Sequence, residues 1–332
     1  MRKHLIRTTF FILSSTVLLF LSSCEKEPEQ KEPEHPFYRI YNVGGTTLET
    51  NTSNDQVNMI FQVLDEQYRG VPGLNDIALY ELTDYQDDMT QSPEANVQVD
   101  SFGTIPVEIY TVMLLDLSKS VEGMVPQIKQ AALTFIKNSL NQQHVAIYTF
   151  DGDAPKLRID FTTNRTQLEA AINSLPETSL GTSTNLYEAL ITAVQRLPEE
   201  EYTVSGITQS NVMLFTDGKE EASPQNKQQA LSAAKQATVF VAALQSSSLD
   251  EPTLLQLAGV NNYFVAENAD QLEGRFSEIQ KDISLLSRSV YWLYYNSPRK
   301  GITTWDIRLA FRKNRNSGTD RYALGTYSSS GF

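Results

Sequence analysis

Between Ile109 and Leu286, strand-like apolar runs alternate with amphipathic helical patterns, and a chain that alternates this way has few folds open to it. Ile109-Tyr110-Thr111-Val112-Met113-Leu114-Leu115 is a continuous run, as a central strand buried on both faces requires. Ile128, Ala131, Ala132, Phe135, Ile136 and Leu140 then fall on one helical stripe. Further strands are predicted at 145–150, 212–216, 239–244 and 263–266. Further helices are predicted at 165–175, 186–197, 225–237, 253–258 and 269–286. The pattern predicts an α/β fold with a doubly wound, mainly parallel sheet over 108–287.

On either side the pattern becomes β-rich. Val57-Asn58-Met59-Ile60-Phe61-Gln62-Val63-Leu64 and Ile77-Ala78-Leu79-Tyr80-Glu81-Leu82 are short β-favouring runs, and Arg69-Gly70-Val71-Pro72-Gly73 is a turn between them. Residues 37–107 therefore read as the first part of a small β-sandwich. After Ser289 come the aromatic run Tyr291, Trp292, Tyr294 and Tyr295, and a period-two segment from Thr303 to Phe311. Roughly 44 residues are too few for a robust independent domain. Residues 288–332 are thus expected to complete the sandwich around the α/β segment, the four aromatics packing its interior. A free hairpin, or strands added to the α/β sheet, is the alternative.

The N-terminus reads as an address. Met1–Arg7 is basic, Phe10–Leu21 is apolar, and Leu21-Ser22-Ser23-Cys24 follows, the order of a secretory signal over 1–23. Leu-Ser-Ser-Cys resembles the bacterial lipobox, which implies that Cys24 is lipidated and anchors the chain to a membrane. Residues 24–36 are acidic and proline-bearing without a core-forming run, as an extended tether would be. The acidic residues after Cys24 also resemble the surface-export signal of Bacteroidetes lipoproteins, although a plain spacer would read the same way. The bacterial outer membrane, with the domain facing periplasm or exterior, is the implied location.

Cys24 is the only cysteine, so no intrachain disulfide or cysteine-based zinc site can form. The histidines, His4, His35 and His144, are far apart in sequence, which argues against a histidine triad. With 40 acidic against 27 basic side chains the formal charge is −13, and removal of Arg2, Lys3 and Arg7 with the leader would deepen it. Such a surface repels phosphate backbones, so nucleic acid is not an expected partner.

Chemistry is concentrated in three segments at predicted strand ends or helix starts: Asp116-Leu117-Ser118-Lys119-Ser120, Gly181-Thr182-Ser183-Thr184-Asn185-Leu186 and Thr216-Asp217-Gly218. In a doubly wound sheet, loops beyond the carboxyl ends of the strands converge on one crevice. The donors gathered there are two carboxylates, two serine hydroxyls and a threonine hydroxyl. Hard oxygen donors of that kind select Mg2+, with Ca2+ or Mn2+ as alternatives, and two carboxylates balance one divalent ion. Such a set leaves room for an acidic side chain from a partner protein.

Asp-x-Ser-x-Ser, a later threonine and a later Thr-Asp-Gly resemble the metal-ion-dependent adhesion site of von Willebrand factor A domains, over roughly residues 107–287. By that resemblance Ser118, Ser120 and Thr184 are hydroxyl ligands, while Asp116 and Asp217 bind the ion directly or through water. Thr184 is preferred to Thr182 because Thr184-Asn185-Leu186-Tyr187-Glu188-Ala189-Leu190 matches the family's threonine-to-helix spacing. The implied function is metal-dependent protein binding without catalysis. Gly-x-Ser-x-Gly, Walker-type and His-Glu-x-x-His motifs are absent, which weighs against a metal-dependent hydrolase. A scaffold component of a secretion, pilus or motility assembly is the alternative. Asp151-Gly152-Asp153 reads as a turn after a strand before it reads as a second cation site.

Overall fold

The computed structural model describes residues 37–47, 55–65, 67–73, 77–81, 97–100, 106–178, 180–203, 206–296, 304–311 and 322–328. The leader, Cys24 and the tether lie outside the described residues. The described residues begin with β1 (Phe37–Thr47), β2 (Asp55–Leu64), β3 (Ile77–Glu81) and β4 (Gln98–Asp100). The α/β segment follows as β5 (Val107–Asp116), α1 (Val125–Lys137), β6 (Gln143–Phe150), β7 (Lys156–Thr162), α2 (Arg165–Asn173) and α3 (Leu186–Arg196). It continues with β8 (Glu201–Thr203), β9 (Gly206–Thr216), α4 (Lys227–Ala234), β10 (Thr238–Leu244), α5 (Glu251–Ala258), β11 (Tyr263–Ala266) and α6 (Leu272–Arg288). Among the described residues that follow are β12 (Val290–Asn296), β13 (Thr304–Phe311) and β14 (Tyr322–Ser328).

The main sheet has the order β11-β10-β9-β5-β6-β7, with β8 paired to β9. β11, β10, β9, β5 and β6 run parallel; β7 and β8 are antiparallel to their neighbours. The two-residue period of β5 explains its central place. Met113 and Leu115 pack into one buried cluster with Ile128 and Phe135 of α1 and Phe276 and Ile279 of α6. Val112 and Leu114 pack into a second with Ala189, Leu190 and Ala193 of α3, Ala230 of α4 and Leu254 of α5. A strand buried on both faces thus separates two helical layers, and the doubly wound fold follows.

Three elements differ from the predicted ones. β7 alternates Leu157, Ile159 and Phe161 with Lys156, Arg158 and Asp160, but it is short and mostly exposed, and ladder bonds to β6 hold it in place. α4 starts two residues later than its pattern, because the Asn226 side chain accepts from Gln229 N while Gln229 Oε1 accepts from Asn226 N. β9 extends back through polar residues to Gly206, where β8 covers it.

Strands from both sides of the α/β segment share antiparallel sheets, one of order β1-β2-β12-β4 and one of order β14-β13-β3. In β12, Tyr291 and Tyr295 are fully buried whereas Trp292 and Tyr294 are half-buried. The half-buried pair is satisfied at its polar ends, Trp292 Nε1 donating to Asn58 Oδ1 (3.0 Å) and Tyr294 OH to Gln98 Oε1 (2.7 Å).

The end of α6 is seated against β2 and the turn after it. Gln62 Nε2 donates to Leu286 O (3.0 Å), Val63 N to Ser289 O (3.1 Å), and Tyr291 OH to Val71 O (2.8 Å). Asp65 shapes the turn by accepting from the backbone N–H of Gln67 and of Arg69, both at 2.9 Å, and Tyr68 takes a left-handed φ of 60°. Facing this turn, half-buried Asp282 has its pKa pushed up to about 6; burial outweighs the attraction of Arg69 and Lys281, and Asp65 and Glu278 repel it. Because this exceeds the unfolded value of 3.8, the contribution of Asp282 to stability is fully present below about pH 4 and is lost as pH rises through about 6. Asp282→Asn should therefore melt about 2–4 °C higher than the parent at neutral pH, after discounting for solvent screening. The gain should vanish below about pH 4; an equal gain at both pH values would refute the assignment.

Candidate metal centre

β5 and β9 are parallel neighbours, so their carboxyl ends place Asp116 and Asp217 side by side. Beyond β5 the chain stays tied to what surrounds it: Leu117 N donates to Phe150 O (2.8 Å) and Lys119 N to Gly181 O (2.7 Å). The second bond, with the Ser118–Gly181 bridge, holds the Asp-x-Ser-x-Ser loop against the threonine-bearing segment before α3. Gly181 also lets the turn after β6 pack closely on this segment, since a Cβ there would lie 2.6 Å from the Asp151 Cβ.

Asp116 is fully buried. Its Oδ1 accepts from Ser118 N (2.9 Å) and its Oδ2 from Thr216 Oγ1 (2.7 Å). Ser118 Oγ and Ser120 Oγ are 3.1 Å apart, and Ser120 Oγ donates to Asp217 Oδ1 (2.8 Å). Thr184, also buried, is held through its carbonyl, which accepts from Glu221 N (2.9 Å) and Ala222 N (3.1 Å). Its Oγ1 lies 3.5 Å from where a Cβ on Gly218 would stand, next to Asp217. Asp116, Ser118, Ser120 and Asp217 thus form one hydrogen-bonded chain, and Thr184 faces its Asp217 end.

Burial pushes the Asp116 pKa up to about 6, against the bonds from Thr216 and Ser118, and the Asp217 charge adds to the rise. Burial also raises Asp217, with the Ser120 bond opposing it. Neither carboxylate has an ion-pair partner among the described residues. Two adjoining buried carboxylates without a cation are unfavourable, and a divalent ion removes the cost. The donor chemistry fits a hard ion: among the described residues no three His, Cys, Asp or Glu side chains cluster, so the remaining donors are neutral hydroxyls.

Several residues take roles here that their sequence pattern does not specify. Thr216 is buried between Asp116 Oδ2 and Gly218 N, the latter donating to its Oγ1 (3.2 Å). Its place in the Thr216-Asp217-Gly218 segment marks the residue but not this role. Ser246 donates to Asp217 O, from a loop with no motif. Asn185 is buried beside Thr184; its N–H donates to Asp151 O (2.7 Å) and its Nδ2 to Asp153 O (3.1 Å). Asp151-Gly152-Asp153 forms a turn, Asp151 Oδ1 accepting from Asp153 N (2.9 Å) and Oδ2 from Lys156 Nζ (3.2 Å).

Residues 111–280, just over half of the chain, match the von Willebrand factor type A domain. No curated protein matches the chain. Among solved structures, it is similar to proximal thread matrix protein 1 from the mussel byssus, with zinc in its MIDAS motif. The identity is 16% and the TM-score 0.45, covering 55% of this chain and 49% of the mussel protein. It is also similar to a von Willebrand factor type A protein from Catenulispora acidiphila, at 10% identity and a TM-score of 0.47, covering 90% and 74%. The manganese-loaded TRAP protein of Plasmodium vivax is similar at 12% identity and a TM-score of 0.44, covering 70% and 96%. The chain spans about half the length of the mussel protein it matches.

Proposed function

The chain belongs to the von Willebrand factor type A family, and from that premise we propose that it is a non-enzymatic, metal-dependent protein-binding module. Asp116, Ser118, Ser120, Thr184 and Asp217 would hold the ion, Mg2+ in preference to Ca2+ or Mn2+. When bound, the ion supplies a hard positive centre that attracts an acidic side chain of a partner protein. The chain's own residues do the rest. Thr216 and the Ser118 N–H orient Asp116, Ser120 bridges towards Asp217, and the bonds from Glu221 and Ala222 fix the Thr184 backbone. The observation that carries this reading is the pair of buried carboxylates, Asp116 and Asp217, with no cation beside them among the described residues. The reading extends to placement: a lipid on Cys24 would hold the module at the bacterial outer membrane.

Paramagnetic titration with Mn2+ tests the site, with one ion bound per chain and none in Asp217→Ala as the expected result. Capture of a partner in Mg2+ buffer, reversed by EDTA and absent with Asp217→Ala, tests its use. Partner binding that survives both EDTA and the substitution would overturn the metal-bridging reading. Cys24→Ser moving the chain from the membrane to the soluble fraction checks the anchor.

A further inference from the structure

A groove of about 610 Å³ runs between α3 and α4, within the size range of ligand-binding clefts. Its walls carry five glutamines, Gln195, Gln225, Gln228, Gln229 and Gln236, over a floor that includes Ile191, Val194 and Ala233. Among the described residues that line it, Glu188 alone is ionisable, and Asn185 Nδ2 donates to that carboxylate. In a chain of formal charge −13, so neutral a lining is matched to an uncharged ligand. None of the described residues that line it is aromatic, so they offer sugar rings and nucleobases no stacking surface. Primary amides carry both donors and an acceptor, the pairing that each peptide unit also presents.

The groove also has a direction. Asn185, which engages Glu188 at one end, directly follows Thr184 of the metal centre. From Leu186 to Gln195 α3 rises about 14 Å, which an extended peptide covers in about four residues. We propose that the α3–α4 groove binds an extended, uncharged segment of the partner, contiguous with the acidic residue docked at the metal centre. The amides of Gln195, Gln225, Gln228 and Gln236 pair with its backbone, Gln229 being held in the α4 cap, and small apolar side chains, alternating along it, reach Ile191, Val194 and Ala233. The proposal rests on the metal-bridging reading and adds the chemistry that would tell one acidic partner from another.

The test is selection of displayed random octapeptides, each with one fixed aspartate, on the full chain in Mg2+. Selected peptides are then titrated against three variants. Ser232→Trp fills the groove from an exposed position, Gln195→Ala/Gln236→Ala removes two amides, and Asp116→Ala addresses the metal. The expected peptides are uncharged over about four residues beside the aspartate. They should weaken about tenfold or more in both groove variants and lose binding in EDTA or Asp116→Ala. Unchanged melting of the groove variants shows that they fold. Metal-dependent peptides indifferent to both groove variants would overturn the groove proposal and leave the metal reading standing. Groove-dependent peptides indifferent to EDTA would overturn the metal reading and the shared ligand with it. Selection of no peptide, or of peptides charged along the segment, would overturn the groove's assigned chemistry.

Discussion

Saturating Mg2+ should raise the melting temperature of the metal-free chain by roughly 5–10 °C, and Asp116→Ala should erase the response. The size follows from linkage, because a ligand present at about 100 times its dissociation constant adds about 2.7 kcal/mol to the folded state. The residue follows from geometry. Asp116 has no exposed surface, and a hydroxyl and an amide orient its two oxygens. Without an ion, burial, with a smaller contribution from the Asp217 charge, pushes its pKa up towards the neutral form. Metal-free Asp116→Ala should consequently melt close to metal-free wild type, since loss of an unfavourable buried charge offsets loss of two hydrogen bonds. A purely structural Asp116 would behave differently, the variant being destabilised and the parent indifferent to Mg2+. Either a flat response in the parent or a retained one in the variant would sink the assignment.

Gly70→Ala should cost about 3 kcal/mol, a large loss for a one-carbon change on the surface turn that follows β2. A Cβ at Gly70 would stand 2.1 Å from Leu285 O, 2.4 Å from Leu285 C and 2.6 Å from Leu286 N. These are backbone atoms at the end of α6, so no side chain can swing aside. The helix end cannot retreat easily either, because Gln62 donates to Leu286 O and Val63 to Ser289 O. Relief must come from lifting the Asp65–Gly73 turn off the helix. Urea denaturation measures the loss, and faster proteolysis within 65–73 would locate it. A variant within about 0.5 kcal/mol of the parent would mean that the turn and α6 are not packed this closely.

The order of elements from β5 to α6 is legible in the sequence because each helix and central strand carries a strong apolar period. β7 is less so, since its period-two run of Leu157, Ile159 and Phe161 is short and interleaved with charges, and its pairing is dictated by β6. The three loop segments announce themselves by their oxygen-bearing residues and their places after strands or before a helix. The roles of Thr216 and Ser246 are not legible, because they arise from atoms brought together by the sheet: Thr216 reaches Asp116 across 100 residues of sequence. The same limit governs the α6 seam. Nothing local to Gly70 says that its missing side chain makes room for a helix 215 residues later.

β4 and β12 lie side by side in the β1-β2-β12-β4 sheet, Leu293 opposite Val99, with the whole α/β segment between them in sequence. Tyr294 and Gln98, hydrogen-bonded there, are 196 residues apart. Closing a loop of that length from an unfolded chain costs about 5 kcal/mol of chain entropy, which makes it a slow first step. Once the α/β segment has formed its own parallel core, its two ends are already fixed in space and the same contact becomes nearly local. The kinetically sensible order is therefore inside out: the inserted segment folds early, and the strands around it zip last.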